Sequence, residues 1–124
     1  MDKAHVSGFV GTLLHSATVT HIMHFQATGA GSFAAHMALN TYYEEIPGLV
    51  DSLAESIQGA YELITGYPAS FPNTRLEPLA YMQNLAKYVE TCREHLPKDS
   101  EIQNEVDSIA NLINTTIYKL RFLK

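Results

Sequence analysis

Apolar side chains recur at intervals of three and four along most of this chain, and the interruptions fall at glycine and proline. Val6, Phe9, Val10, Leu13, Leu14, Ala17, Val19 and Ile22 make the first such stripe. That period places them on one side of an α-helix from about Asp2 to Ala27. Thr28-Gly29-Ala30-Gly31 ends it, because two glycines so close together favour a turn. Ser32 is the expected N-cap of a second helix from Phe33 to about Ile64, with Gly66 as its stop. Pro47 lies inside that helix. It has no N–H to donate and crowds the preceding turn, so a kink is expected near Tyr43 to Pro47. Gly66 to Asn73, with two prolines and a glycine, reads as a loop. A third helix is expected from about Leu76 to His95, with Pro78 in its first turn and Pro97 beyond its end. Asp99 or Ser100 caps a fourth, whose stripe is Ile102, Val106, Ile109, Ile113, Ile117 and Leu120. No segment competes as a strand. The pattern therefore predicts an all-α chain, a four-helix bundle running up-down-down-up or up-down-up-down.

The chain has 124 residues, 46% of them hydrophobic, which suits one domain with a real core. No apolar run reaches the roughly 18 residues of a membrane span. The first residues, Met1-Asp2-Lys3-Ala4-His5, do not read as a secretory signal, and the one cysteine, Cys92, excludes an internal disulfide. Both features suggest the cytoplasm. The formal net charge of -5 argues against DNA binding and against any general nucleic-acid role. Lys119, Arg121 and Lys124 form the only basic cluster, and they suit the C-terminus of the fourth helix. An acidic surface instead raises the local concentration of cations.

That charge balance directs attention to metal ligands. His24 and His36 each stand six residues from Ala30, so helices entering and leaving the turn bring the two imidazoles level across a hairpin. Asp51 and Glu55 are four apart and share one face of the second helix. His36 precedes Asp51 on that helix by about 22 Å at a rise of 1.5 Å per residue, too far for one ion. A second copy, antiparallel across a two-fold axis, would bring Asp51 and Glu55 of one chain toward His24 and His36 of the other, twice over. His21, one turn before His24, is a further candidate ligand or proton acceptor. Tyr42 and Tyr43 are candidate redox-active groups beside the interface, and Glu44 and Glu45 a candidate cation path, although packing and a solvated face are their ordinary uses. His5, His15 and His95 read as surface or packing residues. No CxxC, HExxH, P-loop or GxSxG occurs, and no Glu-x-x-His pair.

At these residues the chain resembles the Dps proteins, the mini-ferritins. The resemblance rests on His24-Phe25-Gln26, a short glycine-containing turn, Phe33, His36, and Asp51-Ser52-Leu53-Ala54-Glu55 in a D-x-x-A-E setting. The intervals of twelve, four, eleven and four through His24, His36, Asn40, Asp51 and Glu55 match those of the family, and Leu120-Arg121-Phe122-Leu123 is similar to its closing segment. It is strong over about residues 18 to 60, and the short form is similar to Dps-like proteins of bacteriophages.

The resemblance implies a ferritin-like fold and a ferroxidase site at a two-fold homodimer interface, within a shell of twelve chains that stores iron. By position His24 and His36 would bind metal from one chain, and Asp51 and Glu55 from its partner. Glu55 would bridge two irons and, with His36, carry the oxidation. Imidazole with carboxylate suits iron, and also zinc or manganese. The chain departs from the family at Asn40, where an acidic ligand is usual, at Phe25 and Arg121, where tryptophan is usual, at Pro47, and in a short segment between the second and third helices. Asn40 removes one negative charge and so weakens iron(II) binding. Those departures leave two alternatives open beside the enzyme. One is a structural or interaction protein of the same fold, in a host cytoplasm or a phage virion. The other is a homo-oligomer that holds zinc without turnover.

Overall fold

Asp2 starts the first helix. Its side chain accepts the His5 main-chain N–H, which caps α1 over Lys3–Gln26. The computed structural model describes residues 1–124, and the remaining helices are α2, Ser32–Ala60, α3, Pro78–Cys92, and α4, Ser100–Phe122. A 3-10 turn, Arg93–His95, extends α3. There is no strand, so the fold is an all-α four-helix bundle.

Five details of the helix ends differ from the expectation. The N-cap of α2 is Gly31, not Ser32, and Gly31 adopts a left-handed φ of 77° that a side chain would strain. The helix ends at Ala60 rather than Ile64. At Tyr61 the chain leaves helical geometry, and Ile64 turns back, buried, its N–H held by the Gln58 side chain at 3.0 Å. α3 begins at Pro78 rather than Leu76, because proline favours the first helical position. Its last turn tightens to 3-10 geometry. Asp99 occupies the N-cap position of α4 without capping it, since its carboxylate takes the Tyr61 hydroxyl instead. Through Pro47, α2 continues without a break.

The topology follows from what meets at each end. Lys3 pairs with Glu62 at 2.9 Å, His95 approaches Asp2 at 3.7 Å, Arg93 pairs with Asp107 at 2.6 Å, and Tyr61 bonds Asp99. The start of α1, the end of α2, the end of α3 and the start of α4 therefore share one end of the bundle. At the other end the Gly31 turn lies against Lys124. The order is up-down-down-up. α1 packs on α2 and α3, and α4 packs on the same two, so α2 and α3 stand on a diagonal. Residues 61–77 must then cross the full length of the bundle as a single long crossover connection.

The crossover follows α1. Ser7 Oγ donates to the Gly66 carbonyl at 3.2 Å, the Phe71 ring stacks on His15 at 5.2 Å, and Asn73 to Glu77 border a cleft with Val19, Met23 and Gln26. Gly11 gives Phe71 its seat, since a Cβ there would come within 2.5 Å of the ring. This explains why α1 buries polar residues as well as apolar ones. Covered by α2, α3 and the crossover, it hides Ser7, Ser16 and Thr20 with Phe9 and Leu13. Ser16 Oγ donates to the Leu13 carbonyl at 2.6 Å, so the Tyr42 hydroxyl, 2.7 Å away, donates to Ser16. Burial pushes the Tyr42 phenol well above its usual range. Leu39, Ile46, Leu53 and Ile57 of α2, Met82 of α3 and Ile102, Ile109 and Ile113 of α4 complete the core.

Candidate metal centre

The Gly29–Gly31 turn places the end of α1 beside the start of α2, and the two histidines meet there. The His24 Nδ1–H donates to the His36 carbonyl at 2.8 Å, and the His36 Nδ1–H donates to the His24 carbonyl at 3.0 Å. The rings stack with centroids 3.5 Å apart. A carbonyl oxygen can only accept, so each Nδ1 carries a proton, and the tautomer this fixes for the neutral ring has its lone pair on Nε2. This is the device by which proteins fix the tautomer of a metal-binding histidine, with the main chain as the outer partner. His24 is buried and His36 half-buried.

Two neighbours surround the pair. Tyr43 stacks on His21 at 3.9 Å and lies edge-on to His24 at 5.3 Å. Its hydroxyl donates to Asn40 Oδ1 at 2.7 Å. Asn40 therefore stands one turn beyond His36 with one lone pair of its single acceptor oxygen taken by Tyr43, where a carboxylate would offer a second oxygen and a negative charge. His21 is half-buried, its ring centroid 6.1 Å from that of His24. Tyr42 is in the core, away from any surface chemistry.

Asp51 and Glu55 are exposed, one turn apart on α2, and the chain does not gather them with the histidines. Phe33, Met37, Glu44, Gly48, Asp51 and Glu55 follow one another along the outer side of α2 at helical spacing, and all are exposed. Phe25 and Phe33, 72% and 75% exposed, flank the histidine pair. The open cleft between the crossover and the Gly31 turn, about 720 Å³, includes none of the candidate ligands.

What the sequence reading lacked was the mutual hydrogen bonding of the two histidines. The equal spacing from Ala30 made them level, but only the turn's backbone course brings each ring to the other's carbonyl. His5 and His95, expected as surface or packing residues, are exposed and stack on each other at 3.8 Å beside Asp2.

The chain is a four-helix bundle with one long crossover and a pair of mutually hydrogen-bonded histidines beside the Gly29–Gly31 turn. The chain belongs to a family of unknown function, DUF5856, which it matches over residues 24–120, from the first histidine of the pair to the last buried leucine of α4. No curated protein and no solved structure matches it. No helix is long and apolar enough to cross a membrane.

Proposed function

We propose that this chain is a Dps-like iron-binding protein whose oxidation site is completed by a second copy of itself. The observation that carries the reading is the reciprocal bond between His24 and His36, which turns both Nδ1 atoms to main-chain carbonyls and leaves Nε2 of each as the ligand atom, with no carboxylate gathered beside them in the same chain. Asp51 and Glu55, exposed on the same outer side of α2, are the acidic half of the site. An antiparallel two-fold about the region of Pro47 and Gly48 brings them to the histidines of the other copy. Iron is the substrate here. Two iron(II) ions lose one electron each, the O–O bond of hydrogen peroxide takes both and breaks, and two protons from solvent complete two waters. His24 and His36 hold iron from one chain, and Glu55, with Asp51, bridges and neutralises it from the other. Larger assembly, up to a shell of twelve chains, follows from the same resemblance, and the setting is the cytoplasm of a bacterium or of a phage-infected host.

Asn40 favours a second reading. A neutral amide with its oxygen bonded to Tyr43 lowers the charge available to an oxidised iron pair. The same His and carboxylate set without it suits a non-redox zinc site or a scaffold that has kept only the assembly. Iron(II) titration of metal-free protein, first anaerobic and then with peroxide, with oligomer size followed throughout, separates these. Saturation at about two irons per site, rapid ferric absorbance, and loss of both in His36→Ala are expected. An intact oligomer that binds no iron would overturn the ferroxidase reading. Stabilisation by zinc without oxidation of iron would replace it with the zinc one.

A further inference from the structure

The up-down-down-up order brings the end of α3 over the start of α1, and three potential ligands converge there. Asp2, His5 and His95 each offer an atom within 4.8 Å of the other two. Asp2 Oδ2 is 2.8 Å from His5 Nδ1 and 3.7 Å from His95 Nδ1. The two imidazoles lie face to face, 3.8 Å apart and 10° from parallel. Asp2 is fixed by its own role as the cap of α1, where it also accepts the His5 main-chain N–H at 3.3 Å. That N–H, then the His5 ring, holds its carboxyl below the usual range, so it is ionised at neutral pH. Lys3, the nearest cation in sequence, is engaged with Glu62.

We infer that Asp2, His5 and His95 form a second divalent-metal site, of the zinc type, at the end of the bundle away from the His24–His36 pair. Two neutral imidazoles and one carboxylate are a donor set that zinc takes with water in its fourth position. In a tetrahedral site with bonds of about 2.0–2.2 Å, the ligand atoms lie about 3.3 Å apart. The present separations bracket that value. The cation takes the place of the proton that His5 Nδ1 now shares with Asp2, which leaves to solvent or moves to the far ring nitrogen, and the parallel rings tilt so that their lone pairs converge. His5 and His95 are exposed, so water and metal reach them freely. Because the ligands come from opposite ends of the sequence, bound metal ties the start of α1 to the end of α3 and stabilises only the folded chain. Nothing in this site depends on a second copy or on the ferroxidase reading.

The test is zinc chloride titrated into full-length, metal-free Asp51→Ala/Glu55→Ala protein, which lacks the acidic half of the interface site. Calorimetry, the histidine ring signals in NMR and thermal melting are read together. The His5 and His95 signals are expected to shift with one zinc per chain. The melting temperature is expected to rise by on the order of 10 °C at a hundredfold excess over Kd. His5→Ala/His95→Ala should lose that binding step while keeping its helical circular dichroism. Asp2→Asn keeps a competent N-cap but not the charge, and should weaken zinc by about tenfold or more with little change in the metal-free melt. Unmoved His5 and His95 signals at saturating zinc would overturn the inference. So would zinc affinity unchanged in either variant.

Discussion

Asn40 is where the chemistry of this chain is most open to adjustment. Tyr43 donates its hydroxyl to Asn40 Oδ1, and it would donate as readily to a carboxylate in the same place. Asn40→Asp therefore adds a negative charge one turn from His36 without disturbing the local bonding. Anaerobic titration should show iron(II) bound about tenfold more tightly, equivalent to about 1.4 kcal/mol, with faster oxidation by peroxide. Unchanged affinity would mean that the metal does not sit within reach of residue 40. A control lies in the core. Tyr42→Phe removes a hydroxyl whose partner, Ser16, still has the Leu13 carbonyl. It should cost about 1 kcal/mol in denaturant unfolding and leave metal binding unchanged.

α2, α3 and α4 were legible in the sequence because each carries one apolar stripe, and the Gly29–Gly31 turn and Pro78 mark where α1 stops and α3 begins. The histidine pair was legible as a pair because equal spacing about a turn is a local property. The direction of α3 was not, because residues 61–77 can either turn back or cross over, and no periodicity distinguishes the two. What settles it is a few side chains with no signature of their own. Phe71 seats on Gly11 and His15, and Ser7 holds Gly66. For the same reason Asp2, His5 and His95 could not be grouped from sequence, since only the crossover sends α3 back toward the start of α1. Gly11→Val tests the role of the seat. The added side chain expels the Phe71 ring, so limited proteolysis should cut within residues 66–75 many times faster while circular dichroism keeps the four helices. Equal cleavage rates would show that the crossover is held elsewhere.

The bundle as a whole responds to alkali through its tyrosines. Burial pushes Tyr81 and Tyr88 up to about 12 and Tyr42 higher still, against an ordinary value of 10.0. Each folded pKa lies above the unfolded one, so the folded chain holds more protons between the two. Stability is full below pH 10 and falls as pH rises from 10 through 12, by up to about 1.4 kcal/mol per pH unit for buried Tyr42 and by less for Tyr81 and half-exposed Tyr88, where solvent screens the effect. Tyrosinate absorbance from these residues should appear together with loss of helical circular dichroism, not before it. Assembly is tested at Gly48. It stands on the exposed stripe between Glu44 and Asp51, close to the midpoint of His36 and Glu55, and a Cβ built there meets nothing in its own chain. Any residue other than proline is also a better helix former than glycine, by up to about 1 kcal/mol. Gly48→Trp should therefore leave the isolated chain as stable as before or more so. If α2 packs on its own mate across a two-fold at this point, the indole cannot be accommodated in that contact. Sedimentation should then show the dimer and every larger assembly reduced to monomer, and iron oxidation should vanish with it although His24, His36, Asp51 and Glu55 are all intact. A Gly48→Trp protein that still assembles and still oxidises iron would place the two-fold contact elsewhere on the bundle. It would also remove the reason for pairing those four residues in one site.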